Sequence, residues 1–119
     1  DLATVVYTSG TSGKPKGVML SHDNILFNAY QSSVCVEFVE DDRFLSFLPL
    51  SHMLERTAGY YLPMMVGAEV AFARSVNQLA EDLKTQRPTV MISVPRIYER
   101  VYSKITASLA KQPAFKRVL

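Results

Sequence analysis

Cysteine is nearly absent from this chain of 119 residues, in which Cys35 stands alone. A single thiol excludes an internal disulfide, which fits a reducing compartment such as the cytosol. The neighbours Val34 and Val36 are apolar, so we expect Cys35 to be buried and inert rather than a nucleophile. A disulfide-stapled architecture is thereby excluded.

An excess of charge and a long hydrophobic run are missing as well. The net charge is +2, too weak to indicate a nucleic-acid-binding surface, and no block of like charge suggests a tail. The longest apolar stretch, residues 60–73, is interrupted by Pro63, Gly67 and Glu69 and is too short to span a bilayer. The chain opens on Asp1 and a strand-like run, so we expect no secretory leader.

Apolar residues make up 48% of the chain, enough to bury a core. Their spacing predicts strands at residues 2–7, 17–20, 44–48, 68–72 and 89–94. It predicts helices at residues 22–36 after the N-cap Ser21, at 51–66 before Gly67, from the cap Ser75 to Arg87, and from Pro95 onward. Apolar strands that alternate with helices are typical of an α/β fold with a mostly parallel sheet covered on both faces.

The segment most informative about function is the polar loop of residues 8–16, which lies between the first two predicted strands. A polyphosphate needs backbone N–H groups that point inward, short hydroxyl donors and nearby positive charge. The loop offers all three, in the glycines Gly10 and Gly13, the hydroxyls of Thr8, Ser9, Thr11 and Ser12, and the amines of Lys14 and Lys16. The pattern therefore indicates an anion-binding loop.

Two other interpretations of the loop fit less well. A flexible linker is not normally closed on both sides by buried strands, and it has no need of Pro15 between two lysines. A Walker A loop has a second glycine five positions after the first, where Gly10 is followed by Pro15, and it opens a helix rather than a strand. Phosphate binding would then rely on the loop's own amides and side chains, not on a helix dipole.

Residues 8–18 (TSGTSGKPKGV) resemble, nearly letter for letter, the signature loop of the adenylate-forming superfamily of acyl-CoA synthetases, peptide-synthetase adenylation domains and luciferases. Residues 48–56 (LPLSHMLER) are similar to the family's next core motif, which opens the helix beside the acyl site. That version of the motif and residues 94–101 (VPRIYERV) resemble long-chain fatty acid–CoA ligases in particular. The resemblance implies that residues 1–119 are an incomplete, internal part of the N-terminal AMP-binding (adenylation) domain of such an enzyme.

The resemblance also implies a two-step reaction that uses ATP, Mg²⁺ and coenzyme A. A fatty acid carboxylate attacks the α-phosphate of ATP to form an acyl-adenylate, and the thiol of coenzyme A then displaces AMP. The implied phosphate-binding residues are Thr8, Ser9, Gly10, Thr11, Ser12, Gly13 and Lys16. Lys14 ranks below Lys16, because the family leaves its position variable. Thr11 is the implied Mg²⁺ ligand, and Lys16 and His52 are the implied catalytic residues.

Several residues outside the loop have two interpretations. His52 is either a structural group or a polar contact to the adenylate. Glu55 and Arg56 are adjacent on a helix, so they should not meet, and we expect structural roles for both. One group either lines an acyl tunnel or belongs to the core, with core favoured: Tyr60, Tyr61, Met64 and Met65. A solvated or inter-segment helix face is expected for Arg96, Tyr98 and Arg100.

The sequence leaves functional alternatives open. A non-catalytic nucleotide-binding module would share the loop, and so would an enzyme that adenylates an aryl, short-chain or amino acid. The family's motifs for the adenine pocket, the Mg²⁺-binding carboxylate, the ribose, the hinge and the C-terminal catalytic lysine have no counterpart here, so we expect the chain alone to be inactive. We expect its partners to be small-molecule substrates and the rest of the enzyme's two domains, with no nucleic acid. The expected location is the cytoplasm, with peripheral membrane contact where long-chain substrates partition. Apolar surface that normally packs on absent partners should lie exposed.

Overall fold

Strands and helices alternate largely as the spacing predicts. A computed structural model describes residues 1–9 and 13–110. Within them the strands are β1 (Leu2–Thr8), β2 (Lys16–Ser21), β3 (Arg43–Ser46) and β4 (Glu69–Phe72), and the α-helices are α1 (His22–Cys35), α2 (Met53–Arg56), α3 (Leu62–Val66), α4 (Leu79–Gln86) and α5 (Pro95–Ala110). A π-helical segment, Thr57–Tyr61, joins α2 to α3. The predicted α/β class is confirmed.

The first two strands form an antiparallel hairpin that is closed by the predicted phosphate-binding loop. Pairing runs from Leu2 and Ser21 at the open end to Thr8 and Lys16 at the loop. Helix α1 follows β2 at once because Ser21 is its N-cap, as predicted. Ser21 Oγ accepts from the N–H of Asn24 at 3.1 Å, and Asn24 Oδ1 accepts from the N–H of Ser21 at 3.0 Å. This reciprocal capping box stabilises the start of the helix.

Parallel pairing joins β3 to β4, where Arg43 lies opposite Glu69 and binds its carboxylate at 2.7 Å. Phe44 also forms a parallel bridge with Val90, and the N–H of Leu45 donates to the carbonyl of Val90 at 3.0 Å. Within the described residues, this bridge is all that forms of the strand predicted at residues 89–94. The predicted parallel sheet is therefore only partly present, because the hairpin pairs antiparallel in a sheet of its own.

The predicted helix of residues 51–66 is broken rather than continuous. In the π-helical segment, the N–H of Leu62 donates to the carbonyl of Thr57, five residues back. Pro63 explains the break, because it has no N–H to donate and its ring would collide with the carbonyl of Gly59 in a regular helix. Helix α3 then ends at Gly67, whose φ of 78° and N–H bond to the Pro63 carbonyl confirm the predicted C-terminal glycine.

Helix α4 begins later than predicted. Ser75 forms a turn instead of the cap, with its Oγ accepting from the N–H of Gln78 at 3.3 Å. The buried carboxylate of Asp82 explains the shift, because it accepts from the backbone N–H of Arg74 at 3.0 Å and from its Nε at 2.7 Å. These bonds hold the preceding residues in a loop. The predicted end is confirmed at Arg87, which has a φ of 47°.

The core is small and centres on β3. Phe44, Leu45 and Leu62 are each 1% exposed, and α1 contributes the buried Ile25 and Ala29. Large apolar side chains remain exposed elsewhere, as expected, among them Phe27, Val34, Phe72, Val101, Tyr102 and Ile105. The radius of gyration is 18.2 Å, against about 13 Å for a compact domain of 100 residues. The chain is thus extended, with much of its apolar surface uncovered.

Helix α5 begins at the predicted proline, and none of its residues is buried. Its exposed polar face includes Arg96, Tyr98 and Arg100, as expected. Across the part of the chain that the structure describes, neither α5 nor any other helix has the length and apolar character needed to cross a membrane.

The expected burial of the single thiol is wrong, because Cys35 is exposed. Its neighbours Val34 and Val36 are 65% and 53% exposed. Apolar neighbours along the chain bury a residue only where another element covers that stretch, and the end of α1 is left largely uncovered here.

Candidate functional site

The predicted phosphate-binding loop closes the hairpin beyond its last pair, Thr8 and Lys16. Solvent reaches every site residue of the loop that is described, namely Thr8, Ser9, Gly13, Lys14 and Lys16. The predicted site residues Gly10, Thr11 and Ser12 lie outside the described residues. The described part of the loop therefore presents hydroxyls and amines where an anion can reach them.

Two glycines near the loop meet different steric demands. Gly13 has a φ of 77°, a left-handed conformation that other residues adopt only with strain, and an added Cβ would meet nothing within 4 Å. Gly17 is limited by space instead, because a Cβ there would lie 2.8 Å from Cγ1 of Val5 and 3.6 Å from the ring of Tyr7. Gly13 thus turns the chain within the loop, whereas Gly17 lets the two strands approach each other at its base.

One side of the hairpin faces the rest of the chain. Thr4 and Thr8 point to the same side, because side chains alternate along a strand. Thr4 is half-buried, whereas Val5 and Tyr7, on the other side, are exposed. Lys16 is paired with Thr8 and so shares this body-facing side. Lys16, which the sequence ranks above Lys14 for phosphate binding, is therefore directed to the side of the hairpin on which a binding site can form with the rest of the chain.

The predicted catalytic His52 lies at the N-cap of α2 and is exposed. Its backbone is held on both sides, with its N–H donating to the carbonyl of Pro49 at 3.0 Å and its carbonyl accepting from the N–H of Arg56 at 3.1 Å. The imidazole makes no capping bond to the helix. The position of His52 is therefore set by the backbone, and its imidazole is open to contact with a ligand.

Sequence reasoning missed the burial of Glu55. Its side chain is 1% exposed, and Oε1 accepts from the hydroxyl of Ser46 at 2.6 Å. Oε2 has no hydrogen-bond partner among the described residues. Burial raises the pKa of Glu55, against the lowering effects of Ser46 and of the backbone N–H of Phe47. The carboxyl ties the end of β3 to α2, in agreement with the expected structural role.

The π-helical segment makes room for this carboxyl. An added Cβ at Gly59 would lie 2.6 Å from Oε1 of Glu55 and 2.7 Å from its Cδ, so any larger residue there would force this carboxyl to move. One pattern in the sequence could have indicated the burial of Glu55. An acidic residue stands four positions before a glycine in an otherwise apolar segment, and residues four apart share a helix face.

Arg56 joins two regions that are distant in sequence. Its Nε donates to the carbonyl of Leu50 at 2.8 Å, and its Nη1 donates to Oγ1 of Thr4 at 3.1 Å. Arg43 and Arg74 pair with carboxylates, whereas Arg56 forms no ion pair within residues 1–9 and 13–110. As predicted, it does not meet the adjacent glutamate, which points to β3. Arg56 therefore ties the second motif to the body-facing side of the hairpin.

The aromatic and methionine side chains that follow α2 only partly belong to the core. Tyr60 and Tyr61 are half-buried, with ring centroids 5.5 Å apart in an edge-on arrangement. Met64 and Met65 are 61% and 39% exposed, so the favoured interpretation as core is wrong for these two. The extra residue in the π-helical turn rotates α3 by about 100°, and a helix face predicted as continuous is therefore interrupted.

The described residues supply no metal site of their own. No group of three or more His, Cys, Asp or Glu side chains within them is arranged to hold an ion, and the implied Mg²⁺ ligand Thr11 lies outside them. The loop instead presents hydroxyls and amines, which suit phosphate oxygens. Such a loop fits a nucleotide whose phosphates carry the Mg²⁺, the usual form in which this ion enters a site.

The described part of the loop places hydroxyls, a glycine and lysines on an α/β scaffold, an arrangement that suits the oxygens of an anion such as phosphate. Comparison with known families agrees with this geometry. Residues 1–118 match the family model described as AMP-binding enzyme, and the chain therefore belongs to the AMP-binding enzyme family.

Relatives named as fatty acid ligases match along the whole chain. Long chain acyl-CoA synthetase 7, peroxisomal, of Arabidopsis thaliana is 42% identical over 120 residues, covering 100% of this chain and 17% of the relative. The chloroplastic long-chain-fatty-acid–[acyl-carrier-protein] ligase AEE15 of the same plant is 40% identical over 119 residues, covering 100% of this chain and 16% of the relative. The chain thus spans about a sixth of the length of the relatives that it matches.

A solved structure resembles the fold. The crystal structure of ATP-bound MatB from Rhodopseudomonas palustris has a TM-score of 0.73 at 31% sequence identity, and the match covers 84% of this chain and 20% of that one.

Proposed function

We propose that this chain is the ATP-phosphate-binding part of a longer enzyme that activates a long-chain fatty acid as its acyl-adenylate and passes the acyl group to coenzyme A. The observation that carries the proposal is the hairpin loop, with the exposed hydroxyls of Thr8 and Ser9, the left-handed Gly13 and the exposed amine of Lys16. The likeness to an ATP-bound structure supports it.

The chemistry explains why such a loop is needed. In the first step a carboxylate oxygen forms a bond to the α-phosphorus of ATP while the bond from that phosphorus to the bridging oxygen breaks. Pyrophosphate leaves with the bonding electrons. An anion must therefore approach a highly negative nucleotide, and oriented amides and cations over the leaving group lower this barrier where negative charge accumulates. In the second step the thiol sulfur attacks the acyl carbonyl carbon, and AMP leaves as the thiol proton is lost.

The loop residues receive distinct roles in this proposal. Phosphate binding is assigned to Thr8, Ser9, Gly10, Thr11, Ser12, Gly13 and Lys16. Lys16 carries the main electrostatic role, because strand pairing with Thr8 fixes its backbone, whereas Lys14 lies outside the strands. Thr11 would ligate the Mg²⁺ that enters with ATP, and the exposed His52 would make a polar contact to the adenylate.

The long-chain substrate is supported by the second and third motifs and by the similarity to a long chain acyl-CoA synthetase. A second candidate, transfer of the acyl group to an acyl carrier protein, is supported by the similarly related ligase AEE15. Both candidates share the adenylation step, so the phosphate loop serves either one. The two candidates differ in the acceptor of the acyl group, coenzyme A or an acyl carrier protein. We assign binding of either acceptor to the rest of the longer enzyme.

The extent of the relatives supports a longer parent. Because the chain spans about a sixth of their length, we assign adenine, ribose and coenzyme A binding to the rest of that parent and expect the chain alone to be inactive. Thioester formation by the purified 119-residue chain would contradict this assignment. The proposed location is the cytoplasm with peripheral membrane contact, and recovery of the tagged parent in sealed organelles after cell fractionation would contradict it.

The proposed function is tested by ATP–pyrophosphate exchange in the longer protein that contains this segment. Palmitate should support exchange strongly, and amino, aryl and short-chain acids should support it weakly. Product analysis with coenzyme A and with an acyl carrier protein then separates the two acceptors. Strong exchange with an amino acid and none with palmitate would remove the fatty acid assignment, and ATP binding without any exchange would favour the non-catalytic module.

A further inference from the structure

We propose that Arg56 is a positioning residue that sets the loop carrying His52 against the phosphate-binding hairpin. The catalytic consequence of this proposal rests on the proposed function, whereas the structural part of the proposal does not. The first observation is that Arg56 has an unusual set of partners. Its guanidinium is half-buried, and its acceptors in the described residues are the Leu50 carbonyl and the Thr4 hydroxyl. Burying a cation against neutral oxygens alone is unfavourable compared with an ion pair, so geometry rather than charge pairing accounts for its place.

Two of the three bonds of Arg56 are made to the loop that carries His52. The side chain holds the Leu50 carbonyl at 2.8 Å, and the backbone N–H holds the His52 carbonyl at 3.1 Å. The third bond reaches Thr4 at 3.1 Å, 52 positions away in sequence. The same residue thus fixes both the shape of this loop and its attachment to β1.

Distance shows that Arg56 acts through other residues. Thr4 precedes Thr8 by four positions on the same side of β1, and a strand rises about 3.3 Å per residue. The Thr4 hydroxyl is therefore about 13 Å from the base of the phosphate loop. A guanidinium bonded there does not reach the phosphates held by the loop, but it sets the spacing between the strand that leads to them and His52.

The chemistry of arginine suits this role. Its planar fork directs Nε and Nη1 to two separate acceptors at once, whereas a lysine ammonium is a single point donor on a flexible stem. Arg56→Lys therefore keeps the charge and loses the two-point attachment. Thr4→Val removes one acceptor with little change in shape, and Thr4→Ser restores the hydroxyl.

The test uses the longer protein that contains this segment, with two independent readouts. Amide hydrogen exchange, measured without substrate, reports the opening of residues 49–53. ATP–pyrophosphate exchange with palmitate reports kcat and the KM for ATP. We expect Arg56→Ala and Arg56→Lys to speed amide exchange in this loop about tenfold and to lower kcat about tenfold, with the KM for ATP within about twofold.

Partner and control variants separate this role from general stability. Thr4→Val should change both readouts in the same direction to a smaller extent, Thr4→Ser should restore them, and the Arg56→Ala/Thr4→Val double variant should be non-additive. Arg43→Ala is the matched control, since Arg43 also makes two side-chain bonds, to Glu69 at 2.7 Å and to the Gln86 carbonyl at 2.8 Å. It should leave kcat and the exchange of residues 49–53 unchanged.

Each outcome decides a part of the proposal. Unchanged amide exchange in Arg56→Ala would overturn the attachment. Faster amide exchange with unchanged kcat would overturn the positioning role. A wild type that shows no ATP–pyrophosphate exchange with any acid would overturn the proposed function and the catalytic consequence together, and amide exchange would still decide whether Arg56 holds the loop.

Discussion

Two regions of the molecule differ in burial. One is the block formed by β3, α2, the π-helical segment and α3, and the other is the hairpin that carries the predicted phosphate-binding loop. In the block, Phe44, Leu45, Leu62 and Glu55 are each 1% exposed. In the hairpin, no residue of β1 or β2 is buried. Low burial is typical of segments that open locally and of binding loops placed on a rigid scaffold. The block therefore acts as the scaffold, and the hairpin carries the proposed site.

The contrast predicts how each region responds to substitution. Changes in the block should lower local stability and leave nucleotide chemistry intact until the scaffold opens. Changes in the loop should lower the rate or the affinity for ATP and leave the scaffold closed. Each variant below is to be made in the longer protein that contains this segment.

The largest effect is expected at Lys16. Lys16→Ala should slow adenylation about 10²- to 10³-fold, the usual loss when a group that stabilises developing negative charge is removed, and should change the KM for the acid much less. ATP–pyrophosphate exchange measures both. Lys14→Ala is the matched control, and it should retain most of the activity. Equal rates for Lys16→Ala and the wild type would remove the assigned role.

Gly59 is the most sensitive position predicted in the block. Gly59→Ala should destabilise residues 53–66 by about 1–3 kcal/mol, because the new methyl group meets the buried carboxyl of Glu55. Amide hydrogen exchange across α2 and α3 measures the loss. The same change in a Glu55→Ala background should cost less, since the collision is gone. An equal cost in both backgrounds would mean that the carboxyl is not the obstacle.

Two glycines with nearly equal φ sharpen the comparison. Gly67, at 78°, ends α3 in the block, and Gly13, at 77°, lies in the loop. Gly67→Ala should cost about 1 kcal/mol of local stability and leave the KM for ATP unchanged. Gly13→Ala should raise the KM for ATP and leave amide exchange in the block unchanged. The division into scaffold and site would be wrong if both variants changed the same readout.

The smallest effect concerns the pH dependence of the block. Burial raises the pKa of Glu55 above its ordinary value of 4.5, so the folded state binds this proton more tightly than the unfolded state does. The resulting stabilisation is full below the unfolded pKa and is lost as the pH rises through the folded pKa. Glu55→Gln cannot titrate, so its local stability should fall less between about pH 4 and neutral pH. If the wild type and Glu55→Gln showed the same dependence of amide exchange on pH, this expectation would be contradicted.

Features governed by neighbouring residues could be predicted from the sequence. Ser21 caps α1, Gly67 ends α3, and the first two strands flank the polar loop, because each depends on chemistry within a few positions. The phosphate-binding role of the loop stays a prediction, and the sequence could suggest it because the hydroxyls, glycines and lysines form one contiguous stretch of chain.

Features that depend on distant contacts could not be predicted. The attachment of Arg56 to Thr4 spans 52 positions, and no local pattern indicates it. The burial of Glu55 depends on Ser46 at the end of β3, and the exposure of Cys35 depends on what covers α1. A continuous apolar pattern also concealed the π-helical break, whose cause is a proline within the helix.

The most direct test of the central claim is the structure of the longer protein with ATP and Mg²⁺ bound. We expect the β- and γ-phosphates to lie about 3 Å from the amides and hydroxyls of residues 8–13 and from Nζ of Lys16. A triphosphate bound elsewhere, with this loop making no contact to it, would contradict the account.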